Sequence, residues 1–214
     1  MAAGQHAQLY RELAKIGKSL ASDRRLEIMD LLAQSPKTVA TLAQQTGMSI
    51  ANTSRHLQAL REANLVGRVQ RGNYAIYCLA SAQVEQLFYL LRDVGEAQLP
   101  TMQTIQRHDD TVKRIQTLDL STALKLMDRD DVQLLDVRPA EEFQVGHIDG
   151  AYNIPVDELS DRLTEIPADQ ELIVYCRGPL CSLTNQATQW LRQRGRQAYS
   201  LHASYYDWQV AVTG

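Results

Sequence analysis

The run Glu171-Leu172-Ile173-Val174-Tyr175 is apolar after its first residue. Only Cys176-Arg177-Gly178-Pro179-Leu180-Cys181 separates it from a helical pattern that opens near Ser182-Leu183-Thr184, reaches about Arg194 and is stopped by Gly195. A continuous apolar run of this length reads as a strand buried on both faces, as in parallel sheets covered by helices. A strand followed within a few residues by a helix commits this half of the chain to alternating α/β layers. Cys176 therefore stands where a strand ends. Gly178 and Pro179 force a tight curve, so successive backbone N–H groups turn inward and the following helix adds its positive end. That environment lowers a thiol pKa and favours the thiolate. Residue pattern alone leaves an enzyme, a sensor and an inactive relic all open.

With 214 residues the chain is long enough for two ordinary domains. Its three cysteines, Cys78, Cys176 and Cys181, are too few and too unevenly placed for a disulfide framework, which points to a reducing compartment and to reactive thiols. Met1 to Leu20 lacks the apolar run of a signal peptide, and no stretch approaches the ~20 apolar residues of a membrane span, so a cytoplasmic protein without membrane contact is expected. Residues 1–110 hold 12 Lys and Arg against 10 Asp and Glu, a charge of +2, whereas residues 111–214 hold 10 against 15, a charge of −5. Within the first half, Arg55, Arg61, Arg68 and Arg71 face only Glu62, and a nucleic acid would be met there.

Leu9, Leu13, Ile16 and Leu20 recur at helical spacing and predict an amphipathic opening helix. Ser22-Asp23 reads as the cap of a second helix, Arg24 to Gln34, with Leu26, Met29, Leu31 and Leu32 inward. A short helix from Thr38 to Thr46 is closed by Gly47. Ser49 then caps a longer one, Ile50 to Asn64, with Thr53, Leu57 and Leu60 inward, and the pair makes a helix-turn-helix. From Val66 the period becomes two: Val66 to Gln70 and Tyr74 to Leu79 form a hairpin around Gly72-Asn73, a wing. Ser81 caps a long helix with Val84, Leu87, Phe88, Leu91 and Val94 on one stripe, followed by a less ordered-looking stretch to Asp110. That stripe and the opening helix are assigned to a dimer interface.

The order of these elements, with Ser54-Arg55-His56-Leu57 and Leu60-Arg61-Glu62-Ala63-Asn64-Leu65-Val66, resembles the ArsR/SmtB-type winged-helix repressors over roughly residues 8–95. The resemblance implies a homodimer that binds inverted repeats in promoters and changes its grip on a metal or thiol signal. The metal sites of that family are missing here: Val39 to Thr46 has no cysteine, and the last helix has no Asp-x-His. Expected base readers are Ala51, Asn52 and Arg55, with Ile50 suited to a thymine methyl group. Ser49 and Ser54 are expected at phosphate, His56 packed or facing phosphate, and Arg68 and Arg71 of the wing on phosphate or in the minor groove. Cys78 reads as a small packed hydrophobe.

After a short strand-like run at Val112-Lys113-Arg114-Ile115, Ser121 to Met127 reads as a helix and Val132 to Pro139 as a buried strand ending in charge. Buried Asp136 and Arg138 must be paired and are expected to pin adjacent loops, and His147 is expected to be structural. The combination Asp136-Val137-Arg138, Glu142-Phe143, Gly146-His147-Ile148, Gly150-Ala151, Asn153-Ile154-Pro155 and the Cys176 to Cys181 loop resembles a single rhodanese domain over about residues 112–210. By that resemblance Cys176 is the nucleophile that carries sulfane sulfur as a persulfide. Arg177 helps to bind an anionic donor, and the loop of Gly178, Pro179, Leu180 and Ser182 holds the terminal sulfur. Where rhodaneses usually have Gly-Gly before the final Trp, this chain has Ala203-Ser204. Phosphatases with related loops place Arg six residues after Cys; here that residue is Ser182, which favours sulfur over phosphate or arsenate.

The expected architecture is two domains: a mostly α winged helix-turn-helix at 1–97 and an α/β rhodanese-like domain with a parallel sheet at 112–214, joined by a linker at 98–111. The expected function is a dimeric repressor that senses thiosulfate, polysulfide or a low-molecular-weight persulfide through Cys176, with Cys181 as a resolving thiol. No metal or other cofactor is expected. The alternatives are a sulfurtransferase with an autoregulatory winged helix and a metal-responsive repressor.

Overall fold

A computed structural model describes residues 2–213, apart from the side chains of 2–4 and 111–113. The chain divides into two compact units, Met1–Ala97 and Gln98–Gly214.

In the first unit, α1 (Ala2–Leu20) and α2 (Asp23–Gln34) precede a two-residue strand β1 (Lys37–Thr38). The helix-turn-helix is α3 (Val39–Thr46) and α4 (Ile50–Glu62), and the wing is β2 (Val66–Arg71) and β3 (Tyr74–Leu79), followed by α5 (Ala82–Gln98). The strands make an antiparallel sheet in the order β1-β3-β2. Gly47 takes a left-handed φ of 67° to end α3, and Ser49 then caps α4 by accepting from Asn52 N–H at 3.3 Å. Gly72 turns the wing at φ 57°, at the first central position of a two-residue hairpin loop. Ile28, Met29, Leu31, Leu32, Leu42, Leu57 and Leu60 form the core beneath these elements. Ser22 precedes α2 without a side-chain capping bond; Asp23 accepts from Arg24 N–H at 2.8 Å instead.

The second unit opens where the sequence reads as a linker. Residues Pro100–Lys113 form α6, with Pro100 at the first helical position, where a missing N–H costs nothing. The strand expected at 112–115 is displaced: the backbone is helical to Lys113, the side chains of Val112 and Lys113 lie outside the described residues, and β4 is Thr117–Leu118. Next come α7 (Leu120–Met127), β5 (Val132–Asp136), α8 (Ala140–Val145) and β6 (Tyr152–Asn153). Short helical turns including α9 (Leu159–Arg162) lead to β7 (Glu171–Tyr175), α10 (Leu183–Gln193), β8 (Ala198–Leu201) and α11 (Tyr205–Thr213). The sheet is parallel throughout, in the order β4-β8-β7-β5-β6, so β7 is its middle strand.

Strand alternation divides β7 between two cores. Leu172 and Val174 pack with Ala187 and Leu191 of α10, whereas Ile173 and Tyr175 pack with Leu118, Leu134 and Ile148 on the other face. Each fully buried Leu, Ile or Val here stabilises the fold by about 1.5–3 kcal/mol relative to exposure. The same alternation carries Cys176 into the α10 core beyond Val174.

Candidate functional site

The end of β7 is built from both sides. Asp136, at the end of β5, accepts from the Arg138 guanidinium through Nε at 3.0 Å and Nη2 at 2.6 Å, and from Arg138 N–H at 2.9 Å. Arg138 also donates to Gly146 O at 2.8 Å and lies over the Tyr175 ring. Asn153 ties the carbonyls of Asp136 and Arg138 together at 3.0 and 2.9 Å. Asp136 and Arg138 are fully buried and pin the loops after β5. His147 stacks on Phe143 with ring centroids 3.7 Å apart, and its Nδ1 is 2.9 Å from Phe143 O. Gly146 is required because a Cβ there would stand 2.2 Å from the Tyr205 ring.

In the loop itself, Gly178 adopts φ 104°, and Cys181 N–H donates to Gly178 O at 3.0 Å, closing a tight turn. This turn brings the Cys181 Sγ to 2.9 Å from the Cys176 Sγ, with both cysteines as free thiols. Cys176 is fully buried, whereas Cys181 is half-buried. The expected lowering of the Cys176 thiol does not occur. Burial pushes it well above its ordinary value, and sharing a hydrogen bond and charge with Cys181 pushes in the same direction. Cys181 is the lowered thiol. The hydrogen bond it shares with Cys176 does most of this, and the Arg177 charge and the Leu183 and Arg177 N–H groups assist.

Arg177 also departs from expectation. Its guanidinium makes a two-pronged pair with Glu142 of α8, Nε to Oε2 at 2.9 Å and Nη2 to Oε1 at 2.8 Å. Glu142 is fully buried and the Arg177 side chain is 11% exposed. The Nε–Nη2 edge of the fork is thus occupied within the fold by a carboxylate. Glu142, part of the Glu142-Phe143 motif, is the residue that holds the cysteine loop to α8. Its signal was an acid one helical turn into a segment that the fold must bury. At the positions where the rhodanese resemblance leads one to expect two glycines, Ala203 is buried and Ser204 caps α11, exchanging bonds with Asp207 at 2.7 and 3.3 Å.

A cavity of about 480 Å³ opens beside the loop, bounded by α6, the N-terminal end of α10 and the end of β8, with Leu180, Cys181 and Ser182 in its wall. Gln106 of α6 donates to Pro179 O at 3.4 Å. Asn185 of α10 donates to Asp109 at 2.7 Å and Asp110 at 2.8 Å, and accepts from Ser200 at 2.7 Å. These polar ties come from a segment whose sequence reads as linker but which folds as a helix.

In the first unit, α4 buries Thr53, Leu57 and Leu60 and leaves Ser49, Ile50, Ala51, Ser54 and Arg55 exposed, with Asn52 and His56 half-buried between the faces. Arg68 and Arg71 are exposed on the wing. Cys78 is half-buried against Gly67. Among the described residues, no group of three or more His, Cys, Asp or Glu is placed to hold a metal ion, and no helix is long and apolar enough to cross a membrane.

A winged helix-turn-helix followed by a parallel α/β unit with a cysteine at the end of its middle strand defines a DNA-binding regulator carrying a rhodanese module. Residues 22–67 match the model of the bacterial regulatory proteins of the arsR family, and residues 119–211 match the rhodanese-like domain. The HTH-type transcriptional regulator Rv0324 of Mycobacterium tuberculosis is 37% identical over 96% of this chain and 90% of its own length. The chain belongs to the arsR family of transcriptional regulators and carries a rhodanese domain. The thiosulfate sulfurtransferase GlpE of Shewanella oneidensis is 30% identical over 44% of this chain and 92% of its own. Among solved structures, the homodimeric winged helix-turn-helix DNA-binding domain of Mb0332 from Mycobacterium bovis is 39% identical, covering 44% of this chain and 88% of that one, with a TM-score of 0.43.

Proposed function

We propose that this chain is a dimeric repressor whose rhodanese dithiol reads reactive sulfur. The observation that carries this reading is the pair of free thiols with sulfurs 2.9 Å apart, in a chain whose other unit belongs to a family of transcriptional regulators. One thiol takes the outer sulfur of a persulfide RSSH, becoming a protein persulfide and releasing RSH. The other thiol attacks the inner sulfur of that persulfide, forming a Cys176–Cys181 disulfide and releasing hydrogen sulfide. Two thiols are oxidised and one sulfane sulfur is reduced, so no other oxidant is needed.

The DNA contact is assigned to Ile50, Ala51, Asn52 and Arg55 at base edges, and to Ser49, Ser54, His56, Arg68 and Arg71 at or near phosphates. The apolar stripes of α1 and α5, where Leu9, Leu13, Leu91 and Val94 are exposed, are assigned to the dimer, which sets the spacing of an inverted-repeat operator. A coupling of about 1–3 kcal/mol between dithiol and operator gives a roughly 5- to 150-fold change in affinity.

The test is operator binding by the reduced full-length protein, on a duplex selected from a random library, before and after polysulfide treatment. The expected result is a shift in Kd that Cys176→Ser and Cys181→Ser abolish. Equal Kd before and after treatment sinks the reading. A sulfurtransferase reading is favoured only by the cavity beside Cys181, and steady turnover of thiosulfate to cyanide would establish it.

A further inference from the structure

We propose that sulfur enters at Cys181 rather than at Cys176, and that the donor is a small organic persulfide seated in the cavity beside the loop. This rests on the sulfur-sensing reading and assigns the order of its two thiols. Alternation along β7 drives the Cys176 side chain into the core with Leu172, Val174, Ala187 and Leu191, where it is fully buried. Cys181 Sγ stands 2.9 Å away, while Cys181 itself forms part of the cavity wall. A donor coming from the cavity meets Cys181 first. Thiol–disulfide chemistry is governed by thiolate fraction and access together, and Cys181 has the lowered thiol, next to the Leu183 and Arg177 N–H groups.

The sequence of steps then follows the geometry. The Cys181 thiolate attacks the outer sulfur of RSSH, giving Cys181–S–SH and RS⁻. The inner sulfur of that persulfide is the Cys181 Sγ, already beside Cys176. Cys176 attacks it, the proton of the buried thiol leaves with the departing sulfide as hydrogen sulfide, and the disulfide closes. The high pKa of Cys176 is no obstacle here, because its proton is transferred to the leaving group.

The donor class follows from the wall. The loop's guanidinium is held by Glu142, and the cavity presents Asp109 and Asp110 against Arg107. A dianion such as thiosulfate meets two carboxylates there, whereas an organic persulfide bearing its own ammonium and amide groups finds partners. A cavity of about 480 Å³ lies in the ordinary range for small-ligand sites.

Intact-protein mass spectrometry of full-length wild type, Cys176→Ser and Cys181→Ser treated with glutathione persulfide tests the order. Cys176→Ser is expected to gain one sulfur and keep it, and Cys181→Ser to gain it at least ~10-fold more slowly than Cys176→Ser does. Loading of Cys181→Ser as fast as Cys176→Ser overturns the order while leaving the sensing reading intact. Absence of uptake by all three proteins overturns the sensing reading itself. Limiting iodoacetamide on reduced wild type gives a check that needs no variant: Cys181 is expected to be alkylated first, and Cys176 labelled first overturns the proposal. Thiosulfate is expected to react at least ~10-fold more slowly than glutathione persulfide, and equal rates overturn the donor class.

Discussion

Glu142 holds the cysteine loop through one bidentate pair, and its loss is sharply predictable. Glu142→Gln leaves the Arg177 guanidinium almost buried with a neutral amide in place of its carboxylate, which is expected to cost about 3–5 kcal/mol in urea unfolding. A loss below ~1 kcal/mol would mean that the pair is solvated in solution. Cys181 gives a pH prediction. The thiolate is the nucleophile and its pKa is lowered, above all by the Cys176 hydrogen bond. Alkylation of Cys181 should therefore stay fast at neutral pH and fall only below the inflection of an unperturbed thiol such as N-acetylcysteine. Cys176→Ala removes the largest cause and should move the inflection upward. An inflection that stays in place, measured by stopped alkylation and peptide mapping, would contradict the shared hydrogen bond. The burial of Cys176 was legible by extending the period of two from Leu172 and Val174; its raised pKa was not, because burial outweighs the nearby N–H groups at Cys176, and the Leu183 N–H of the following helix acts on Cys181.

At the scale of elements, the loop depends on Gly178 and α7 on its cap. Gly178→Ala must hold a side chain at φ 104°, a strain of about 1–3 kcal/mol, and is expected to lower the urea midpoint and slow sulfur uptake together. Unchanged uptake would show that the turn is not needed to bring Cys181 to Cys176. Asp119 caps α7 by accepting from Thr122 N–H at 2.7 Å, and this bond, with the Ser121 hydroxyl, lowers its pKa. A carboxylate depressed in the folded state contributes stability above its unfolded pKa and loses it as pH falls through the folded one. Asp119→Ala should lower Tm at pH 7, and the two Tm curves should converge below about pH 4; a constant gap would rule out the charged cap. Helix α6 was missed for a related reason. Its sequence is polar with sparse apolar spacing, and its attachment comes through Asn185, some 75 residues away in the chain.

At the scale of the whole molecule, the winged helix leaves two apolar stripes exposed, with Leu9 at 66% and Leu13 at 62% on α1. If they form the dimer, Leu13→Glu combined with Leu91→Glu should give a monomer by light scattering and weaken operator binding by about 100-fold, because the two half-sites are no longer bound together. A dimer that persists would move the interface elsewhere.

Sequence alone determined the two architectures, because each is written in local periodicity: helical spacing closed by Gly47, alternation around Gly72-Asn73, and the apolar run of β7 ending in a short loop. It also determined the six-residue span from Cys176 to Cys181. Only the tertiary structure decided that Arg177 belongs to Glu142, that residues 100–113 are helix and wall the cavity, and that Cys181 rather than Cys176 faces that cavity. Those are pairings between distant segments and choices of which face is covered, and a one-dimensional pattern contains neither.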